Sequence, residues 1–152
     1  MTTVTWSGLD EPRMELARVQ LDGIAMRASG TQIGVGYELH YELEPDVLRL
    51  EIVDDRRVEV PLDGADFFDL GNSPLFNSLP VMRDGLLGDG PSRDYSMRWV
   101  SVPELDVSKQ LQRYQPLPDN VVRFTSGDFV ADIRFGEDGL VDFYPGLAER
   151  VA

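Results

Sequence analysis

The stretch Tyr37-Glu-Leu-His-Tyr-Glu-Leu43 alternates strictly between apolar and polar side chains. Because successive side chains of a strand point to opposite faces, this pattern predicts a strand with one buried and one solvent-exposed face. Such half-buried strands are typical of antiparallel sheets, whereas the strands of parallel sheets contain continuous apolar runs. The stretch therefore favours a mostly β, antiparallel fold.

The same period of two recurs on both sides of this stretch. It is clear over residues 48–52, 58–62 and 129–135, and weaker over 14–21, 24–29, 95–102, 108–115, 121–125 and 140–144. Asp-Gly pairs at 22–23 and 138–139 separate neighbouring strand candidates. They suit tight hairpin turns because both residue types tolerate positive φ. These segments predict a succession of short strands joined by hairpins.

One short helix is predicted between the strands. Asn72 or Ser73 is placed to cap it, Pro74 suits its first position, and Pro80 is expected to end it. Residues 84–94 are rich in Asp and Gly and predict a loop. The predicted fold class is mostly β: an antiparallel sheet with at most one or two short helices.

The length of 152 residues fits one domain, and no linker divides residues 1–152. The chain has no cysteine, which excludes disulfides, thiolate zinc sites and cysteine nucleophiles. Residues 1–7 lack the basic and apolar regions of a signal peptide, and no stretch approaches the ~20 apolar residues of a membrane helix. We therefore expect a cytoplasmic protein with no membrane span.

The charge is strongly negative, with 27 acidic against 14 basic residues and a net charge of −13. Such a field repels phosphate backbones, so nucleic acid is not an expected partner. Lys109 is the only lysine. A GC-rich genome with an acidic surface is one explanation, and adaptation to high salt is the other. We favour a halophilic origin, because a Debye length of about 3 Å at 1 M salt lets carboxylates crowd together.

The only histidine, His40, shares its strand face with Glu38 and Glu42. This grouping suits a carboxylate–imidazole pair for acid–base chemistry or a weak metal site. The alternative, a solvated polar face, is favoured because the sequence identifies no further ligand or catalytic partner. No nucleophile motif accompanies it. We predict no catalytic residue, no metal and no cofactor.

Aromatic side chains are the other candidates for a ligand site. Most are expected to pack in the core, where β proteins favour them. A minority can line a pocket, since ligand pockets are mostly apolar with a few polar groups. The candidates are Trp6, Tyr95, Trp99, Tyr114, Phe143 and Tyr144. Of these, Trp99 and Tyr144 are predicted as ligand-binding residues.

Three segments in order resemble a known family: residues 69–83, residues 102–107 running into 112–114, and residues 139–147. They contain Asn-Ser-Leu-Pro at 77–80 and Tyr-Pro-Gly at 144–146. This combination resembles the bacterial family named putative glycolipid-binding protein, long catalogued as a domain of unknown function. The resemblance implies that the antiparallel sheet is curved into a spiral β-roll, and it implies a lipid-like ligand.

Carried over position by position, the resemblance implies that Asn77, Arg83, Gln112 and Tyr114 are polar anchors. Each also has a structural alternative, such as bonding to loop backbone or pairing with an acid. The expected function is non-enzymatic binding of a lipid or glycolipid inside a curved sheet. The alternatives are a small hydrolase acting on a lipid or sugar, with acids near His40, and a protein-interaction or dimerisation module. A monomer or homodimer is expected.

Overall fold

A 13-stranded sheet forms most of the structure. The computed structural model describes residues 1–152 and places 58% of the chain in strands. In chain order the strands are β1 (Thr2–Gly8), β2 (Met14–Asp22), β3 (Ala25–Gly34), β4 (Tyr37–Leu43), β5 (Val47–Ile52), β6 (Arg56–Pro61), β7 (Phe67–Leu70), β8 (Arg93–Val100), β9 (Val107–Leu117), β10 (Val121–Ser126), β11 (Phe129–Phe135), β12 (Val141–Tyr144) and β13 (Ala148–Arg150). The predicted alternating segments correspond to β2–β6 and β8–β12, whereas β1, β7 and β13 were not predicted.

The order of strands in the sheet places the two chain ends in its middle. Strands β1 to β6 form successive antiparallel pairs, as do β8 to β13. Strand β1 pairs with both β2 and β13, with Trp6 opposite Arg150. Strands β6 and β7 are therefore the two edges of the sheet.

The two edges lie close together because the sheet curls. Only residues 62–66 join β6 to β7, and a chain of that length spans at most roughly 20 Å. The guanidinium of Arg56 at the start of β6 donates to the carbonyl oxygens of Pro103 and Glu104, at 2.7 and 2.9 Å. The sheet is thus a curved, open roll, and the predicted fold class is confirmed.

A helix, α1 (Pro74–Asp84), fills the inside of the roll. It connects β7 to β8, and this crossover makes them the one parallel pair of the sheet. The first eight residues of α1, 74–81, are all buried. They contact β2, β7 and β12 from inside the curve. The helix has 11 residues, too few to cross a membrane.

The helix begins at Pro74 as predicted, but the prediction that it ends at Pro80 was wrong. Pro80 lies inside the helix, which continues to Asp84 and stops at Gly85 in the left-handed conformation, φ 61°. An internal proline costs about 3 kcal/mol. Burial of the surrounding turns offsets that cost, since Leu79 and Val81 on either side are 1% and 2% exposed.

The outer face of the sheet carries ion pairs between neighbouring strands. Arg113 on β9 binds Asp94 on β8, and Arg123 on β10 binds Asp132 on β11, each at 2.8 Å. Both pairs join residues that face each other in the register. Exposed pairs of this kind contribute about 0–1 kcal/mol each, so stability rests on the inner face.

Gly30 on β3 leaves space for the ring of Tyr41, its partner on β4. A Cβ at Gly30 would overlap the Tyr41 ring and lie 2.9 Å from the carbonyl oxygen of Leu16. We expect Gly30→Ala to lower the free energy of unfolding by about 1–3 kcal/mol, measured by chemical denaturation. Ser29→Ala, at the exposed neighbouring position, should change it by less than about 0.5 kcal/mol. Equal effects would contradict this close packing.

Candidate functional site

An open cleft of about 770 Å³ lies at the end of the roll where β7, β8, β10 and β12 finish and β9 and β11 begin. Side chains from these strands meet the first residues of α1 and the turn at 145–147 there. Ligand sites have volumes of roughly 300–1,000 Å³, so the cleft is large enough for a small organic group. The inside of the roll is occupied by α1 and the buried core instead.

Aromatic side chains form one part of the cleft lining: Trp99, Phe124, Phe129 and Tyr144. Phe124 and Tyr144 are buried, at 5% and 7% exposure, whereas Phe129 is 51% exposed. The rings of Phe124 and Phe129 meet edge to face with centroids 6.1 Å apart. The aromatic surface therefore runs from the floor of the cleft to its rim, where a planar or ring-shaped ligand can stack.

Polar side chains form the floor. Gln112 is 2% exposed, and its amide Nε2 donates to Oδ2 of Asp69 at 2.7 Å and to Oε1 of Gln110 at 3.2 Å. Its own oxygen, Oε1, is buried without a hydrogen-bond partner. Asn77, the fourth residue of α1, lies beside them and is 5% exposed. A buried acceptor without a partner is costly, so this floor is suited to accept a hydrogen bond from a ligand.

The carboxylate of Asp69 is held in an apolar setting. It follows Phe67 and Phe68 on an entirely buried strand and is itself 7% exposed. Burial raises its pKa to about 6, against the opposing effect of the hydrogen bond from Gln112. A buried carboxyl with a shifted pKa in a cleft is a candidate for ligand binding or proton transfer.

The cleft brings together four of the six residues predicted from sequence: Asn77, Trp99, Gln112 and Tyr144. Tyr114 lies behind the lining, fully buried between the rings of Tyr95 and Phe124. Its hydroxyl has no hydrogen-bond partner. Desolvation raises the pKa of Tyr114 well above its ordinary value.

Arg83, the remaining predicted residue, lies away from the cleft near the other end of α1. Its guanidinium sits 4.0 Å from the ring centroid of Phe67 and pairs with Asp84 at 3.1 Å. With Ile24 and Leu43 it borders a separate small cavity of about 60 Å³. That volume holds little more than one or two water molecules.

A second buried polar network lies directly behind the cleft wall. The carboxylate of Glu15, 2% exposed, accepts hydrogen bonds from the hydroxyls of Tyr41 and Ser73 at 2.7 Å and from Gln32 at 3.3 Å. Ser73 is the N-cap residue of α1, yet its side chain bonds Glu15 and makes no cap hydrogen bond. Burial raises the pKa of Glu15 to about 7. The network fixes β2 to the helix start that lines the cleft.

His40 is far from this site in the sheet, on the outer face of β4. Its Nε2 lies 2.7 Å from Oε2 of Glu38, and its Nδ1 lies 3.8 Å from Oε1 of Glu51. The imidazole is 46% exposed. Its surroundings match the solvated polar face that the sequence favoured.

Sequence reasoning missed Asp69 and Glu15, the two buried carboxylates. For Asp69 a signal existed, because it interrupts the apolar run Phe67-Phe68-Asp69-Leu70 inside a segment already singled out. For Glu15 the signal was absent. It lies between Met14 and Leu16, whose apolar side chains are 47% and 52% exposed on the outer face.

Comparison with known proteins agrees with this architecture. A family model described as "Putative glycolipid-binding" matches residues 49–150, about two thirds of the chain, and this span contains every residue that lines the cleft. No curated protein matches the chain. The crystal structure of a DUF1089 family protein from Pseudomonas aeruginosa is similar, with a TM-score of 0.70 and 22% identity over 90% of this chain and 92% of that one.

The likeness to the Pseudomonas aeruginosa protein shows a shared fold across almost the whole of both chains. The family match extends over the three segments on which the resemblance rests, residues 69–83, residues 102–107 with 112–114, and residues 139–147. The predicted resemblance is confirmed. The family model matches the sequence, and the shared fold agrees with that match. This chain therefore belongs to the family described as "Putative glycolipid-binding".

Proposed function

We propose that this protein binds a glycolipid or a similar lipid-like molecule, without transforming it, and holds the polar headgroup in the cleft at the end of the roll. The observation that carries the proposal is the composition of the cleft lining. Buried polar groups of Asp69 and Gln112 lie at the floor, and aromatic rings from Trp99 to Phe129 extend to the rim. Polar groups that fix orientation, set among apolar contacts, are typical of small-molecule sites.

The inside of the roll offers no comparable space for an acyl chain. Phe76 of α1 and Leu39 and Leu48 of the sheet are completely buried there. The cleft lies at the end of the roll, so an acyl chain would leave it over the exposed ring of Phe129. This differs from a carrier that encloses the whole lipid, and it supports recognition of the headgroup.

Removing the Trp99 ring should weaken binding. We expect Trp99→Ala to raise the dissociation constant of a bound alkyl glycoside by about tenfold, because the stacking surface is lost. Isothermal titration calorimetry below the critical micelle concentration measures this. Phe143→Ala is the matched control, since Phe143 packs against Arg134, with the guanidinium carbon 5.5 Å from the ring centroid, and does not line the cleft. Equal loss in both variants would argue against the cleft as the site.

Native mass spectrometry of protein purified without detergent tests the proposal directly. A discrete mass excess that extracts into organic solvent as one lipid class supports it. A bare mass, combined with no heat of binding for any alkyl glycoside at low or high salt, would contradict it. The high-salt arm is needed because the net charge of −13 makes the protein's own carboxylates repel one another at low ionic strength, which destabilises the folded state.

A hydrolase acting on a lipid or sugar is the second candidate function, and Asp69 is the observation that favours it. A carboxyl whose pKa lies near 6 can donate a proton at neutral pH more readily than an ordinary aspartate. Turnover of chromogenic glycosides or esters that disappears in Asp69→Asn and persists in Glu42→Gln would establish it. Binding without turnover by the wild type supports the binding function.

A further inference from the structure

The charged side chains in the lining of the cleft are all negative. The lining contains two carboxylates, Asp69 at the floor and Glu104 at the rim, and no arginine, lysine or histidine. Proteins bind phosphate, sulfate and carboxylate groups with arginine, lysine or clustered backbone amides. An anionic headgroup entering this cleft would find no cation to replace its lost hydration.

The Gln112 side chain at the floor offers an acceptor that has no partner. Both hydrogens of the Gln112 amide are used, by Asp69 and by Gln110, so only its buried oxygen remains free. The reverse orientation of this amide would set its oxygen against the carboxylate oxygen of Asp69, which is repulsive, so the hydrogen-bond network fixes the orientation. A ligand that binds at the floor therefore has to donate a hydrogen bond to Oε1 of Gln112.

A stacking surface lies beside this polar floor. Trp99 on β8 is the register partner of Asp69 on β7, and neighbouring strands lie about 4.8 Å apart. Facing residues of adjacent strands point to the same side of the sheet. A sugar ring stacked on the Trp99 indole would thus have hydroxyl groups within reach of the Asp69 carboxylate.

We infer that the cleft selects uncharged, hydroxyl-rich headgroups and rejects those that carry phosphate, sulfate or carboxylate. This inference rests on the proposed binding function and specifies its ligand class: a neutral glycoside whose hydroxyls donate to Gln112 Oε1 and Asp69. The selecting residues are Asp69 and Gln112, and Trp99 supplies the surface on which the ring lies.

Two probes that differ by one carboxylate test the inference. Octyl glucoside and octyl glucuronide, both below their critical micelle concentrations, are titrated into the full chain in 0.5 M salt. At that ionic strength the Debye length is only about 4 Å, so the net charge of the molecule contributes little and the local groups decide. We expect octyl glucoside to bind at least about tenfold more tightly than octyl glucuronide.

The variants assign this preference to the cleft. Asp69→Asn should weaken octyl glucoside binding by about tenfold and reduce the preference to less than about threefold, because a charge-assisted hydrogen bond and the local repulsion are both removed. Glu42→Gln, which makes the same charge change at an exposed position on β4, should leave both affinities unchanged. Circular dichroism confirms that each variant is folded.

The outcomes separate the two proposals. Equal or tighter binding of octyl glucuronide by the wild type would overturn the selection inferred here and leave the binding function intact. A preference that persists unchanged in Asp69→Asn would also overturn it. Failure of both probes to bind would count against the proposed function itself.

Discussion

Replacing Phe76 with alanine is expected to lower the free energy of unfolding by about 3–5 kcal/mol. Phe76 is completely buried on α1, inside the roll. Its ring meets that of Tyr41 edge to face, with centroids 5.4 Å apart. The large effect follows from its place in the fold, because the inner face of a curved sheet cannot collapse onto the volume that a missing ring leaves. Urea denaturation followed by circular dichroism measures it.

Phe129→Ala provides the comparison at a phenylalanine that is 51% exposed. This variant should lower the free energy of unfolding by less than about 1 kcal/mol, since a half-exposed ring buries little apolar area on folding. Phe76→Leu should fall between the two variants because it leaves a smaller cavity. If Phe76→Ala costs no more than Phe129→Ala, then α1 does not fill the roll as the structure describes.

The alternation of residues 37–43 was sufficient to predict strand β4 and its buried face, because half-burial of a strand is a local property of the sequence. Turn chemistry likewise predicted the hairpin between β2 and β3 and the one between β11 and β12. Neither signal indicates that β1 pairs with β13, since that contact joins residues about 140 positions apart. The curling of the sheet around α1 therefore depends on tertiary contacts, which local sequence signals do not indicate.

The extent of α1 shows a similar limit. Local rules end a helix at Pro80, and the energy that carries it to Asp84 comes from burial against strands distant in sequence. The candidate site was predicted only in part, and the reason is the same. Asn77, Trp99, Gln112 and Tyr144 lie in motifs or belong to residue types that mark binding sites, whereas Glu15 becomes recognisable only beside Tyr41 and Ser73.

Glu15→Gln is expected to change how stability depends on pH. Burial raises the pKa of Glu15 in the folded protein to about 7, from 4.5 in the unfolded chain. Between these values the folded state binds more protons than the unfolded state, so the wild type loses stability as pH rises from about 4.5 to 7. At 1.36 kcal/mol per pH unit the loss approaches about 3 kcal/mol. The glutamine variant lacks this loss, and its stability relative to wild type should increase by that amount.

Denaturation curves at pH 4 to 8 for wild type, Glu15→Gln and the exposed control Glu42→Gln measure this difference. Asp69, whose pKa burial raises to about 6, acts in the same direction but is present in all three proteins, so it cancels in the comparison. A pH-independent difference between wild type and Glu15→Gln would mean that the three donors to Glu15 fully compensate its burial. The pKa of Glu15 would then be the same in the folded and unfolded protein, and the network between β2 and the start of α1 would add no pH dependence to stability.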